Sequence, residues 1–398
     1  MISWRMRACL VLVAVVAVAC SDSTSSDDLA IRDLGVRDFS VVDDLFGRDL
    51  AVPDLAHPDL ARIVPDGGFH APTLALAAPG VGGGLATADF EPSSGWSNYT
   101  VDSTVTITDV SVSQASTTLV AMRLSDGHLN VSTWDRLAGS YTAPKEPFAT
   151  AFTAHRPALG GAELLFQGGL SADKRLYDTH WDGTQFGAAA QQASFLTDLA
   201  PVVLTPSGSI HAIFTGTDKK IYDGTVGAAA AEAGGGTSNA SPAATVLSSG
   251  VILVVFAGED TNLYWSGLSG GNYTAPKSLC AGLTGCLVDS DLAPLVATTG
   301  NGAVVVWRGK DKKVYSTALV PNATFASSSF AAAIPASGTE MTNFSPALAS
   351  GVTGADAELV WARDSDGAGR HARLISGAWS TPTTIPSSNL TGAPALAR

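Results

Sequence analysis

Three arginines stand at or beside one place in a phrase that the chain repeats: Arg123 in LVAMRLSDGHLNV, Arg308 in VVVWRGKDKKVYSTA and, close to that place, Arg363 in LVWARDSDGAGRHAR. The rings of Trp307, Tyr315 and Trp361 lie near them in sequence, and Glu259 and Glu358 are candidate acidic partners. A guanidinium offers a rigid fork of N–H donors, a carboxylate accepts on both oxygens, and an indole or phenol gives a flat apolar face with a polar edge. In the other three copies the arginine place holds Gln167, Thr215 and Ala257, so this chemistry belongs to about three copies, not six.

Patterns that make or break bonds are missing from the text. There is no His-Glu metal pair, no G-x-S-x-G elbow and no phosphate loop. His128, His155, His180, His211 and His371 are scattered. The run DSDGAG at Asp364 starts like a calcium loop but lacks the later Glu and the full spacing. No metal or cofactor is expected.

The elements that must position these residues follow from the phrase itself. Six copies run between Leu119 and Arg373, each an apolar β-rich run, a polar turn at Asp126, Asp173, Asp218, Asp260, Asp311 or Asp366, and a second short strand that often holds Tyr. An Asp side chain can accept from backbone N–H groups two residues on, so recurrence of Asp in every copy predicts turn capping. A Pro-led strand signal recurs beside the phrases as RPALG, APVVL, SPAAT, APLVA, SPALA and finally APALA, and Pro suits only the start or edge of a strand. A fourth element closes the unit, as in GSYTAPK at Gly139, GNYTAPK at Gly271 and GAWSTPT at Gly377.

Four short strands per unit, at a spacing of roughly 40 to 55 residues, fit the blades of a β-propeller. The last signal, APALA, has no blade after it, whereas His70 to Thr104 has blade-like text with no first strand before it. A closing blade shared by both ends would complete seven blades and leave no unpaired edge, with six blades as the alternative. The expected fold is therefore an all-β propeller over residues 70–398.

The phrase resembles the units of propeller lectins of the fucose-binding type and their seven-bladed bacterial relatives, most closely at Trp307, Arg308, Gly309, Asp311 and Tyr315. The resemblance implies sites between neighbouring blades, where an Arg and an acidic residue bond sugar hydroxyls and a ring covers an apolar sugar face. It places sugar binding on Arg123, Arg308, Arg363, Trp307, Tyr315, Trp361, Glu259 and Glu358, without catalysis. Two alternatives stay open: a propeller that binds a protein partner at the cell surface, and a sialidase-like hydrolase, although the S-x-D-x-G-x-T-W box of those enzymes is absent.

At the other end, Arg5 and Arg7 precede the apolar stretch Ala8 to Ala19, which is too short to span a bilayer and suits a secretory signal. Its ending Ala17-Val18-Ala19-Cys20 resembles a bacterial lipobox, with Ala17 where Leu is preferred, which implies lipidation at Cys20; the alternative is an ordinary signal cut after Ala19. The expectation is an exported, membrane-anchored protein of the bacterial cell envelope. Residues 20–69 then read as a disordered stalk, because the degenerate phrase DLAIR, DLGVR, DLAVP, DLAHP repeats Asp and Pro too often for a core. Removal of Cys9 and lipidation of Cys20 would leave Cys280 and Cys286, whose spacing in CAGLTGC allows a disulfide in an oxidising envelope. The net charge of −13, with no basic stripe, argues against a nucleic-acid partner.

Overall fold

The computed structural model describes residues 72–398, apart from 150, 170–172, 280–286, 290–291, 301 and 323. The expected signal segment and stalk, the expected lipidation site Cys20, and the expected disulfide pair Cys280 and Cys286 lie outside the described residues.

The chain is a seven-bladed β-propeller. Seven antiparallel sheets of four or five strands follow one another along the sequence. Their innermost strands are Ile107–Gln114, Ala158–Gly160, Val202–Leu204, Ala243–Val246, Leu295–Thr299, Ala347–Ser350 and Ala395–Ala397. Each packs beside the next and the last beside the first, so the ring is closed. Six of the seven are the Pro-led strands; the first blade alone starts its inner strand without proline.

Closure takes the form that the two sequence fragments suggest. Ala395–Ala397 pairs with Leu74–Pro79, aligning Ala75 with Ala397 and Ala77 with Ala395, and the sheet continues outward through Leu85–Glu91 and Gly95–Asp102. The last strand is thus the inner strand of a blade whose other three strands come first in the domain.

Strand periodicity explains how blades stack. In Gly302–Arg308 of the fifth blade, Ala303, Val305 and Trp307 face the fourth blade, meeting Leu253, Val255 and Trp265. The alternate residues Val304 and Val306 face the sixth blade, meeting Leu359 and Trp361. Successive side chains on a strand point to opposite faces, so a strand covered on both sides is apolar throughout. That is why this run reads VVVW rather than as a polar–apolar alternation.

Within a blade the chain runs down the inner strand and back up the second. The Asp turns between second and third strands therefore lie at the same rim as the Pro-led loops that start each inner strand. Pro72 lies at the opposite rim, where its carbonyl accepts from Gln114 Nε2 at 3.1 Å.

Candidate functional site

The recurrent Asp caps its turn in all six copies. The backbone N–H two residues on donates to Asp126, Asp173, Asp218, Asp260, Asp311 and Asp366 at 3.0–3.2 Å. In four blades the other carboxylate oxygen also accepts from a tyrosine: Tyr177 at 2.6 Å, and Tyr222, Tyr264 and Tyr315 at 2.8 Å. A glycine lies beneath each of these pairs. A Cβ on Gly309 would sit 2.8 Å from both Asp311 Oδ1 and the Tyr315 ring, and Gly168, Gly216 and Gly258 are equally tight. The phrase G-x-D-x-x-x-Y of the third, fourth and fifth blades is therefore a clamp that holds a turn, and it engages Tyr315 as a structural group.

The strand register fixes the arginine place as the partner of the third residue after the turn Asp. Arg123 pairs with Leu129, Thr215 with Ile221, Ala257 with Leu263 and Arg308 with Val314. In the sixth blade Gly369 pairs with Ala362, so Ala362 holds that place and Arg363 falls one residue further, inside the turn. Arg363 there grips its own turn, with Nε donating to Asp366 Oδ1 at 2.9 Å. This ion pair depresses the Asp366 carboxyl to about 2, aided by the Ala368 N–H.

At the arginine place four side chains do the same work with different atoms. Arg123 Nε donates to the Thr153 carbonyl at 3.1 Å, Gln167 Nε2 to Thr197 at 2.7 Å and Thr215 Oγ1 to Ala240 at 2.8 Å, while Arg308 Nη1 reaches Asn343. Each pins the crossover into the next blade. Arg308 is buried and its Nη2 pairs with Asp289, on the crossover that leads into its own blade. A buried charge is tolerated only when paired and hydrogen-bonded, and Arg308 meets both conditions inside the protein. The rings beside it are committed as well: Trp307 and Trp361 are 0% exposed and fill interblade cores.

Glu358 is also fully buried. It receives His371 Nε2 at 2.9 Å, Arg373 Nε at 3.1 Å and the Val352 N–H at 3.3 Å. Phe90 and Trp96 of the closing blade pack against His371, so this ionic knot joins the sixth and closing blades. The eight residues suggested by the sequence are thus not brought together. Trp307 and Tyr315 stack at 6.0 Å. Arg123 lies at the mouth of the central channel.

Glu259 stands in a different setting. It lines a pocket of about 320 Å³ between the third and fourth blades, with Gly235, Gly236, Thr237, Phe256, Asp260, Tyr264 and Pro276. Lys219 of the third blade reaches it at 2.8 Å, and both side chains are about half exposed. The pocket exists because the outer strand Ala230–Thr237 bulges: two steps from Lys220 to Tyr222 are opposed by five from Glu232 to Thr237. The second blade bulges at the matching point and fills the space with Phe195, packed on Phe214 at 5.4 Å. By register the third blade has Gly236 where the second has Phe195, and Gly234 and Gly235 adopt φ of +83° and +86°. A Cβ on Gly236 would collide with the Phe256 ring, so the glycine lets that ring pack on the outer strand, and the pocket lies beside it. The run AGGGT carries this signal, and it reads as strand filler until the bulge is known.

Among the described residues no group of three or more His, Cys, Asp or Glu is placed to hold a metal. The acids of the DSDGAG loop are engaged by Arg363, Lys312 and Asn343.

Fold and site together define a seven-bladed propeller with an acidic, ring-bordered interblade pocket. No family model matches the chain, and no curated protein does. Its neighbours among solved structures include fucose lectins, one of them a six-bladed β-propeller. One is the SapL1 lectin in complex with alpha methyl fucoside, 14% identical with a TM-score of 0.47, the match covering 72% of this chain and 98% of that one. Another is the six-bladed fucose lectin of Aleuria aurantia, 16% identical with a TM-score of 0.43, covering 64% and 88%. TolB from Acinetobacter baumannii is 14% identical with a TM-score of 0.42, covering 68% and 65%.

Proposed function

We propose that this protein is a non-catalytic carbohydrate-binding propeller of the bacterial cell envelope, anchored through lipid on Cys20, and that its sugar site is the pocket between the third and fourth blades. The observation that carries the site is the Glu259 carboxylate, paired with Lys219, set beside Thr237 and the ring of Tyr264, whose hydroxyl is held by Asp260. Carboxylates accept from vicinal hydroxyls, an ammonium donates, and an aromatic edge or face covers C–H groups. The pocket volume is at the small end of the range for small-molecule sites, which suits a mono- or disaccharide. The Tyr264 hydroxyl is tied to Asp260 of its own turn at 2.8 Å, as in three other blades, and this recurrence marks the pair as a structural clamp, which favours binding over turnover.

The test is a glycan array probed with the protein and with Glu259→Ala. Binding of a defined glycan by the parent, weakened about tenfold or more in the variant, supports the reading. An empty array, or release of reducing sugar from the bound glycans, contradicts it. The anchor is tested separately: Cys20→Ser moves the protein from the membrane to the soluble fraction, and retention at the membrane contradicts lipidation at this residue.

A further inference from the structure

The residue before proline in the six Pro-led words is small in five of them: Ala200, Ser241, Ala293, Ser345 and Ala393. In the second blade it is Arg156. These words start inner strands, so the six residues ring the mouth of the central channel, a cavity of about 590 Å³. Much of that wall is apolar, formed by residues such as Pro201, Val203, Leu295 and Leu396. One sector, shared by the first and second blades, is charged and contains Asp109, Arg123, His155 and Arg156.

Charges in that sector do not cancel. Asp109 Oδ2 pairs with Arg123 Nη1 at 3.3 Å, and Arg123 also donates to Thr108 Oγ1 and the Thr153 carbonyl. Arg156 has no hydrogen-bond or ion-pair partner among the described residues. It is half-buried, and desolvation in the channel wall lowers its pKa, with the field of Asp109 acting the other way. A cation taken partly out of water without a partner is costly, and in a fold that places small residues at the five matching positions it is not explained by packing.

We propose that the mouth of the central channel is a binding site for a carboxylate on an apolar body, with the Arg156 guanidinium bonding the carboxylate and the proline-rimmed wall taking the apolar part. The guanidinium fork matches the two oxygens of a carboxylate. A single uncompensated positive charge suits a monoanion better than a phosphate dianion. The cavity lies within the size range of small-molecule sites and admits a short branched acid or the last residues of a peptide. This site is independent of the interblade pocket, so either one can fail without the other.

The experiment is calorimetric titration of the full-length protein with isovalerate, with the tripeptide Ala-Ala-Leu, and with the same peptide as its C-terminal amide. The proposal expects saturable binding of at least one free acid, no binding of the amide, and a loss of about tenfold or more in Arg156→Gln, in keeping with a charge-assisted bond. Tighter binding of the peptide than of isovalerate identifies a peptide terminus as the source of the carboxylate, and the reverse order identifies a free acid. If Arg156→Gln does not fold, Arg156→Lys serves in its place: it keeps the charge and loses the fork, so weaker but measurable binding is expected. No saturation with either acid, equal binding of acid and amide, or unchanged binding in the folded variant overturns the proposal.

Discussion

The phenol of Tyr315 donates to Asp311 Oδ2 at 2.8 Å directly above Gly309, whose missing side chain lets the two meet. The same three-residue clamp recurs at Gly216, Asp218 and Tyr222 and at Gly258, Asp260 and Tyr264. Gly309→Ala forces a Cβ into that contact and is expected to cost about 1–3 kcal/mol, the usual range for overpacking. Gly300 has no atom near its missing Cβ. Gly300→Ala is therefore expected to stay within about 0.5 kcal/mol. Urea denaturation of both variants makes the comparison.

Hydrogen bonding to the Asp carboxylates raises the phenol pKa of Tyr177, Tyr222, Tyr264 and Tyr315 above the ordinary value. A group whose folded pKa is raised stabilises the fold fully below its unfolded pKa and loses that contribution as pH climbs through the folded value. The clamps therefore hold below about pH 10 and weaken above it. Absorbance titration at the phenolate band should show Tyr315 ionising earlier in Asp311→Asn than in the parent.

At the acid end the sign is reversed. Asp366 is depressed to about 2, first by Arg363. Its contribution is present above the unfolded carboxylate value of about 4 and lost as pH falls toward about 2. Carboxyl titration by NMR should place its midpoint near 2, and Arg363→Ala should raise it toward the ordinary range.

Breaking a buried ion pair from one side leaves the partner charged and unpaired, at a cost of about 3–5 kcal/mol. Glu358→Ala removes the ion-pair partner of Arg373 and the hydrogen-bond partner of His371, and is expected to fall in that range by chemical denaturation. Arg308→Ala strands Asp289 and loosens the crossover at Asn343, so it should lower stability while leaving ligand binding by the folded fraction unchanged.

These costs bear on how far the sequence could be read. The ring was legible because its signals are local: Pro157, Pro201 and Pro394 mark inner strands, the turn Asp marks the rim, and the orphan words at the two ends name the shared blade. The site was less legible for three physical reasons. An extra turn residue in the sixth blade slides Arg363 out of register with Arg308, which only the pairing of Ala362 with Gly369 reveals. Trp307 shares its strand parity with Ala303 and Val305, so its burial was written in the alternation, but only for a strand covered on both faces. The pocket beside Glu259 lies where the outer strand bulges and Gly236, in the place of Phe195, admits the Phe256 ring, and a glycine among glycines carries no signal without the bulge.

Departures from the repeat are where binding is assigned. Glu259 is the one acidic residue immediately before a turn Asp; the other copies have Ser125, Ala172, Thr217, Lys310 and Ser365 there. The measurement that tests this most directly is the stoichiometry and mutational response of sugar binding, by calorimetry with a glycan identified on the array. One sugar per chain, lost in Glu259→Ala and kept in the folded fraction of Arg308→Ala, is the predicted result. Several sugars per chain, or binding that survives Glu259→Ala and vanishes with Arg308, would contradict it.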